Sequence, residues 1–112
     1  MKVGHVEEIE AVDVEMEGAA GVRMRVVVGD AQGAPRFVMR VFDVAPGGHT
    51  PHHAHDFEHE VYVVEGRGWH ADAGREQPLA AGDVVYVPPG SVHQFRAAEG
   101  QGLRFICVVP KV

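Results

Sequence analysis

Fourteen glycines and seven prolines cut this chain of 112 residues into short pieces. The breaks fall at Gly29-Asp30-Ala31-Gln32-Gly33, Pro46-Gly47-Gly48, Asp72-Ala73-Gly74, Ala81-Gly82-Asp83 and Pro88-Pro89-Gly90. Glycine reaches backbone conformations closed to other residues and proline removes a backbone donor, so such clusters end regular elements. Between them lie runs rich in β-branched and aromatic residues, at 22–28, 37–44, 59–65, 84–87, 93–96 and 103–109. Runs of this kind read as strands, and no long capped amphipathic helix is visible. Several short strands at this spacing predict a single all-β domain, a sandwich or barrel. Residues 1–20 alternate only weakly and predict an N-terminal arm or edge strand.

Composition narrows the function classes. A net charge of −6 with no run of Lys or Arg argues against nucleic acid or an anionic membrane as partner. The lone Cys107 has no internal disulfide partner, which points to a reducing compartment. With no long apolar run and no leader pattern at the start, a soluble cytoplasmic protein is expected.

Histidine is concentrated in one place. Five of the eight, His49, His52, His53, His55 and His59, fall within eleven residues, just before the run Val61-Tyr62-Val63-Val64. A sixth, His93, follows Pro88-Pro89-Gly90 far along the chain. Neutral imidazole is the commonest protein metal ligand. On an extended segment, residues of one parity share a face. His53, His55, Phe57, His59, Val61 and Val63 then point inward, while Glu60, Tyr62 and Val64 point out. His93 closes the site from a neighbouring strand, with Phe95 on the same face.

The first patch reads Gly47-x5-His53-x-His55-x3-His59-x6-Gly66, and the second Gly82-x5-Pro88-x-Gly90-x2-His93. These resemble the two signature motifs of the cupin superfamily, which implies a small antiparallel jelly-roll barrel with residues 37–109 as its core. The family's usual third ligand is Glu, three or four residues after the second His. Here the three-residue position is His59 and the four-residue position Glu60, and parity favours His59. The family's Asn in the second motif is Ala97, so nothing carries over there. The runs GVRMRV at 21–26, FVMR at 37–40, EHEVYV at 58–63 and FICVVP at 105–110 resemble small bacterial cupins with a four-histidine manganese site. That resemblance implies a divalent ion on His53, His55, His59 and His93. Mn2+ is favoured and Fe2+ comes next, with Zn2+, Ni2+ or Cu2+ as metals a preparation could carry.

Four neutral ligands leave the ion's full charge in place, and such a site should welcome anionic ligands. The expected function is a metal-dependent oxidoreductase, dioxygenase-like, acting with O2 on a small oxygenated, phenolic or alkene substrate. The alternatives are a Lewis-acid isomerase or lyase, and a non-enzymatic module that binds a small molecule. Phe95, Phe105, Cys107 and Val109 are expected to form an apolar bowl, as plain core or as pocket lining. Arg40 is expected to face solvent; turned inward, it would clamp a carboxylate. Asp56, Glu58, Glu60, His52 and Gln94 lie near the ligands in sequence and are candidates to hold their ring N–H groups. Free imidazoles titrate near about 6.5, so metal occupancy is expected to fall on acidification toward that value. A barrel this small leaves strand edges to be covered, and related small cupins commonly pair, so a homodimer is expected. Light scattering at micromolar concentration should return twice the chain mass.

Overall fold

The computed structural model describes residues 2–72 and 74–111. Ala73, in the expected turn at 72–74, and both terminal residues of the expected domain lie outside the described residues. Among the described residues eight strands run in order: β1 (Val12–Asp13), β2 (Ala20–Val28), β3 (Phe37–His49), β4 (His59–Asp72), β5 (Arg75–Ala80), β6 (Val84–Val87), β7 (Gln94–Ala97) and β8 (Leu103–Pro110). The described residues contain two single 3-10 turns, Val6–Glu8 and Asp30–Gln32, and no α-helix. None of their helices is long and apolar enough to cross a membrane.

All pairings are antiparallel, and they close on themselves. β8 lies between β3 and the first part of β4, while β7 joins the end of β3 to the last part of β4. The result is the antiparallel jelly-roll barrel expected from the motifs. β8 shows the clearest reason why: its burial alternates strictly, with Leu103, Phe105, Cys107 and Val109 inward. Those four meet Val22, Val44, Val61, Val63 and Phe95 in the core.

Two long strands depart from the expected runs. β4 continues past Glu65 through Gly66, Arg67 and Gly68, after its register against β8 has shifted between Val63 and Glu65. A Cβ on Gly66 would lie 1.9 Å from the Gly102 carbonyl oxygen, and its φ is +95°, so only glycine fits. The shift also moves the inward positions of β4 from odd to even numbers, which buries His70. β3 likewise runs through the expected turn at Pro46-Gly47-Gly48, which is an irregularity inside the strand: Val22 faces Val44 while Ala20 faces His49. In both places glycine serves a bend rather than a chain reversal. β5 was not anticipated, because REQPLA has one buried apolar residue, Leu79, and no β-branched run.

The outer face holds the N-terminal arm. Asp43 on β3 accepts from Arg25 Nη1 at 2.9 Å and from Arg104 Nε at 2.6 Å and Nη2 at 3.1 Å. Arg104 also reaches Glu7, and Arg25 Nε donates to the Ile9 carbonyl, so the arm is tied to the sheet. The Asp43 and Glu7 carboxylates, through their hydrogen bonds, hold the Arg104 guanidinium even more firmly charged than usual. Asp43→Ala strands two half-buried guanidinium groups. It should lower stability in urea unfolding by about 1–2 kcal/mol, the scale of a partly exposed charged network, and increase hydrogen exchange at residues 7–13.

Candidate metal centre and cavity

The two histidine segments are joined main chain to main chain. His53 N–H donates to the His93 carbonyl at 3.2 Å, and His93 N–H donates to the His53 carbonyl at 2.8 Å. On either side, Gly90 N–H donates to the His55 carbonyl at 2.6 Å and Thr50 N–H to the Phe95 carbonyl at 2.9 Å. Phe95 N–H completes the zipper on Thr50 Oγ1 at 2.9 Å. Directly opposed residues of an antiparallel pair project from the same face, so His53 and His93 meet inside the barrel. Burial along 52–60 follows the expected parity. Residues 53, 55 and 57 are half-buried, His59 is 6% exposed, and the even positions, Glu60 among them, are exposed. Glu60 therefore stays on the outer face, with no bulge to turn it in.

Four imidazoles cluster there. His53, His55 and His93 each offer a ligand atom within 4.8 Å of the other two. His59 stands outside that trio but beside it, its ring 4.7 Å from His93 and 5.2 Å from His55. Its Nδ1 lies 3.3 Å from Cys107 Sγ, and its buried Nε2 has no partner among the described residues. His93 Nδ1 lies 3.0 Å from the Ser91 carbonyl, which can only accept, so that nitrogen carries the proton and Nε2 presents its lone pair. The donor set fits a divalent ion: neutral nitrogens, one of them an orphan at the bottom of the cluster, with second ring nitrogens engaged elsewhere. Those engagements come from Ser91 and Cys107, and from none of the five neighbours considered in sequence. Asp56, Glu58, Glu60 and His52 are exposed, and the Gln94 side chain bonds the Thr50 carbonyl at 3.0 Å.

The cluster sits in a cavity of about 450 Å3, within the usual range for small-molecule sites. Phe95, Phe105, Cys107 and Arg40 line it as candidates for a bowl. Val109 does not; it faces Val38, beyond the Arg40–Cys107 pair, and belongs to the core. Arg40 is half-buried and inward, against the expectation that it faces solvent. The even residues of β3, Val38 to Val44, all turn inward, and Arg40 shares their parity; its charge alone suggested otherwise. The same parity would have found Phe42, which also lines the cavity. Sequence reasoning missed the strap at 12–16 and Thr50 as lining residues, while Phe57, turned inward by parity, does line the cavity. Phe57 shares the odd parity of the histidines and stacks on His55 at 4.7 Å. The strap had no local signal, since only its pairing with β2 brings it over the mouth. His70 is buried with Nε2 unpartnered, and lines a separate cavity with Asp72 and Gln77.

Burial keeps the rings of His53, His55 and His59 neutral. Desolvation first, and then His55, His93 and His52, push His53 down to about 4. Desolvation, then His93, Arg40, His55 and His53, push His59 down to about 3, and His55 is lowered mainly by desolvation. Proton competition for the ring nitrogens therefore begins well below the 6.5 of a free imidazole. In the unfolded chain the rings protonate near 6.5, so below that value the unfolded state binds more protons than the fold. The contribution to stability is whole above 6.5 and is lost as pH falls through about 4 to about 3. The thermal midpoint of chelator-treated protein should fall across this window, and in His59→Phe the fall should be smaller. An identical profile in that variant would refute the assignment.

Residues 40–109 match the family model of the cupin domain (Cupin_2). The polyketide cyclase RemF of Streptomyces resistomycificus is 37% identical and superposes with a TM-score of 0.93 over 98% of this chain and 79% of its own. The 1-methylthio-D-xylulose 5-phosphate methylsulfurylase of Rhodospirillum rubrum is 43% identical over 72 residues, 63% of this chain and 46% of that protein. The oxalate-binding protein of Thermotoga maritima is 32% identical over 65 residues, 57% of this chain and 54% of that protein. This chain thus spans about half the length of these two relatives. With both motifs on one closed barrel and the family model covering most of that barrel, the chain belongs to the cupin family.

Proposed function

We propose that this protein is a metal-dependent enzyme that acts on an enolisable, carbonyl-rich substrate by Lewis-acid chemistry, closing a ring in the manner of a cyclase. The observation that carries the reading is an all-imidazole cluster facing an apolar cavity. His53, His55, His59 and His93 would hold the ion, with Mn2+ favoured and Fe2+ next. When bound, the ion supplies a positive charge that polarises a carbonyl oxygen and stabilises an enolate. The chain's own residues do the rest. Phe42, Phe105 and Phe95 form a stacked wall, with ring centroids 5.1 and 4.5 Å apart, suited to a flat conjugated body. The strap at 12–16 adds a further wall to the cavity. The near full-length likeness to a polyketide cyclase supports this class of reaction.

A dioxygenase-like oxidoreductase is the second reading, favoured by neutral ligands that leave the ion free to take both substrate and O2. A binding module is the third, favoured by the likeness to an oxalate-binding protein. A cytoplasmic location and a homodimer belong to the same proposal. The exposed Tyr62, Val84 and Tyr86, on paired strands, offer an apolar outer face to a second copy.

Protein loaded in parallel with Mn2+, Fe2+ or Zn2+ should convert a linear 1,3,5-triketone anaerobically to a ring with loss of water, followed by absorbance and mass. His93→Ala should lose this conversion by at least about a hundredfold, as expected when metal chemistry is removed. Metal-dependent O2 uptake without anaerobic turnover would install the oxidoreductase reading. Saturable binding with no turnover would install the binding module.

A further inference from the structure

Arg40 is a cation without a counter-charge inside this cavity. β3 turns it inward opposite Cys107 on β8, and its guanidinium lies 5.0 Å from the Phe42 ring centroid. Nη2 donates to Cys107 Sγ at 3.2 Å, a weak acceptor, and the buried Nε has no partner among the described residues. Among the described residues it forms no ion pair. Of the two carboxylates in the lining, Asp13 pairs with Arg23, and Glu15 is exposed on the strap. A desolvated charge left unpaired is costly to a fold. Packing alone would be served as well by a methionine at this position, without that cost.

The same sulfur joins Arg40 to the imidazoles, since Cys107 Sγ also lies 3.3 Å from His59 Nδ1. The guanidinium is thus one atom removed from the cluster, and the Phe42–Phe105 stack runs alongside, its rings tilted by 16°. Guanidinium presents paired donors that match two oxygens of a carboxylate or the oxygens of a 1,3-dicarbonyl enolate.

We propose that Arg40 anchors an anionic oxygen of the substrate, so that this cavity takes a planar, conjugated carboxylate or enolate rather than a neutral molecule. The anion rests on Arg40, the flat body lies along Phe42 and Phe105, and the next carbonyl reaches the imidazole cluster. The inference rests on the cavity being the substrate site of the function proposed above, and it narrows that function to an anionic substrate class.

The test is binding and needs no turnover. The full chain, metal-loaded and after chelator treatment with the fold checked by circular dichroism, is titrated calorimetrically with 2-naphthoate and with neutral 2-naphthamide. Wild type should prefer the carboxylate by roughly tenfold or more in both states, the scale of one charge-assisted hydrogen bond. In the chelator-treated protein Arg40→Met should abolish the preference, and Arg40→Lys should keep part of it. The Arg40 Nε–H resonance of 15N-labelled wild type should move on adding the carboxylate and not the amide, a readout that survives even if a variant does not fold. Arg40→Met keeping the preference in the chelator-treated state would overturn the proposal. So would a preference that disappears with the metal, an Nε–H signal that does not move, or no binding of either probe. Failure of the triketone to cyclise would strike the catalytic reading and leave these results standing.

Discussion

The reciprocal main-chain pair between His53 and His93 is the contact on which the site depends. Each of its two hydrogen bonds contributes on the order of 1 kcal/mol net, which is modest. Its geometric consequence is larger. It places two segments from distant parts of the chain directly opposite each other, on one face, and so commits both rings to the interior. The Gly90–His55 and Thr50–Phe95 bonds extend the same zipper and leave the segment little freedom to slip. A slip of one residue would turn His53, His55 and His59 outward together. Preorganisation of the imidazoles is therefore a property of backbone pairing before it is a property of the side chains.

The interior around this pair is electrostatically one-sided. Imidazoles kept neutral by burial face a guanidinium, and the carboxylates of the lining stand on the strap at the mouth. Such an arrangement does not favour the fold in isolation. It is sustained by what surrounds it: the Phe95–Phe105–Phe42 stack beneath and the Asp43–Arg25–Arg104 network on the opposite face of the same strands. Those two regions carry stability, and the cavity is free to carry charge. The family's usual third-ligand carboxylate would cancel part of the positive charge. Here His59 occupies the inward position and Glu60 faces solvent, so an anionic ligand is the natural complement.

Much of the fold was legible. The β-rich runs fall within six of the eight strands or begin one residue before them, because β-branched runs bounded by turn residues leave a chain few options. The errors sit at glycines, where a turn was read at 46–48 and a strand was ended just before Gly66. At 46–48 and at Gly66 the strand goes on, because the constraint is a neighbouring backbone, the Gly102 carbonyl in the second case, and no local pattern announces it. β5 was silent for a related reason: an edge strand with a single buried side chain has almost no hydrophobic period to read.

The site divides along the same line. Period-two alternation, a local property of extended backbone, was enough to turn His53, His55 and His59 inward and Glu60 outward. The spacing of two motifs was enough to bring His93 into the same account. The Cys107 partner of the His59 ring needed the tertiary structure, since it comes from a strand paired alongside β4, whereas the Ser91 carbonyl on His93 is only two residues away in the chain. So did the inward Arg40, whose charge argued for solvent while its parity argued for the core. So did Val109, which shares the parity of Cys107 yet lies beyond the cavity. Which way a residue faces is decided by its neighbours in the chain. What it meets there is decided by strands far away in sequence, through a register that only the closed barrel sets.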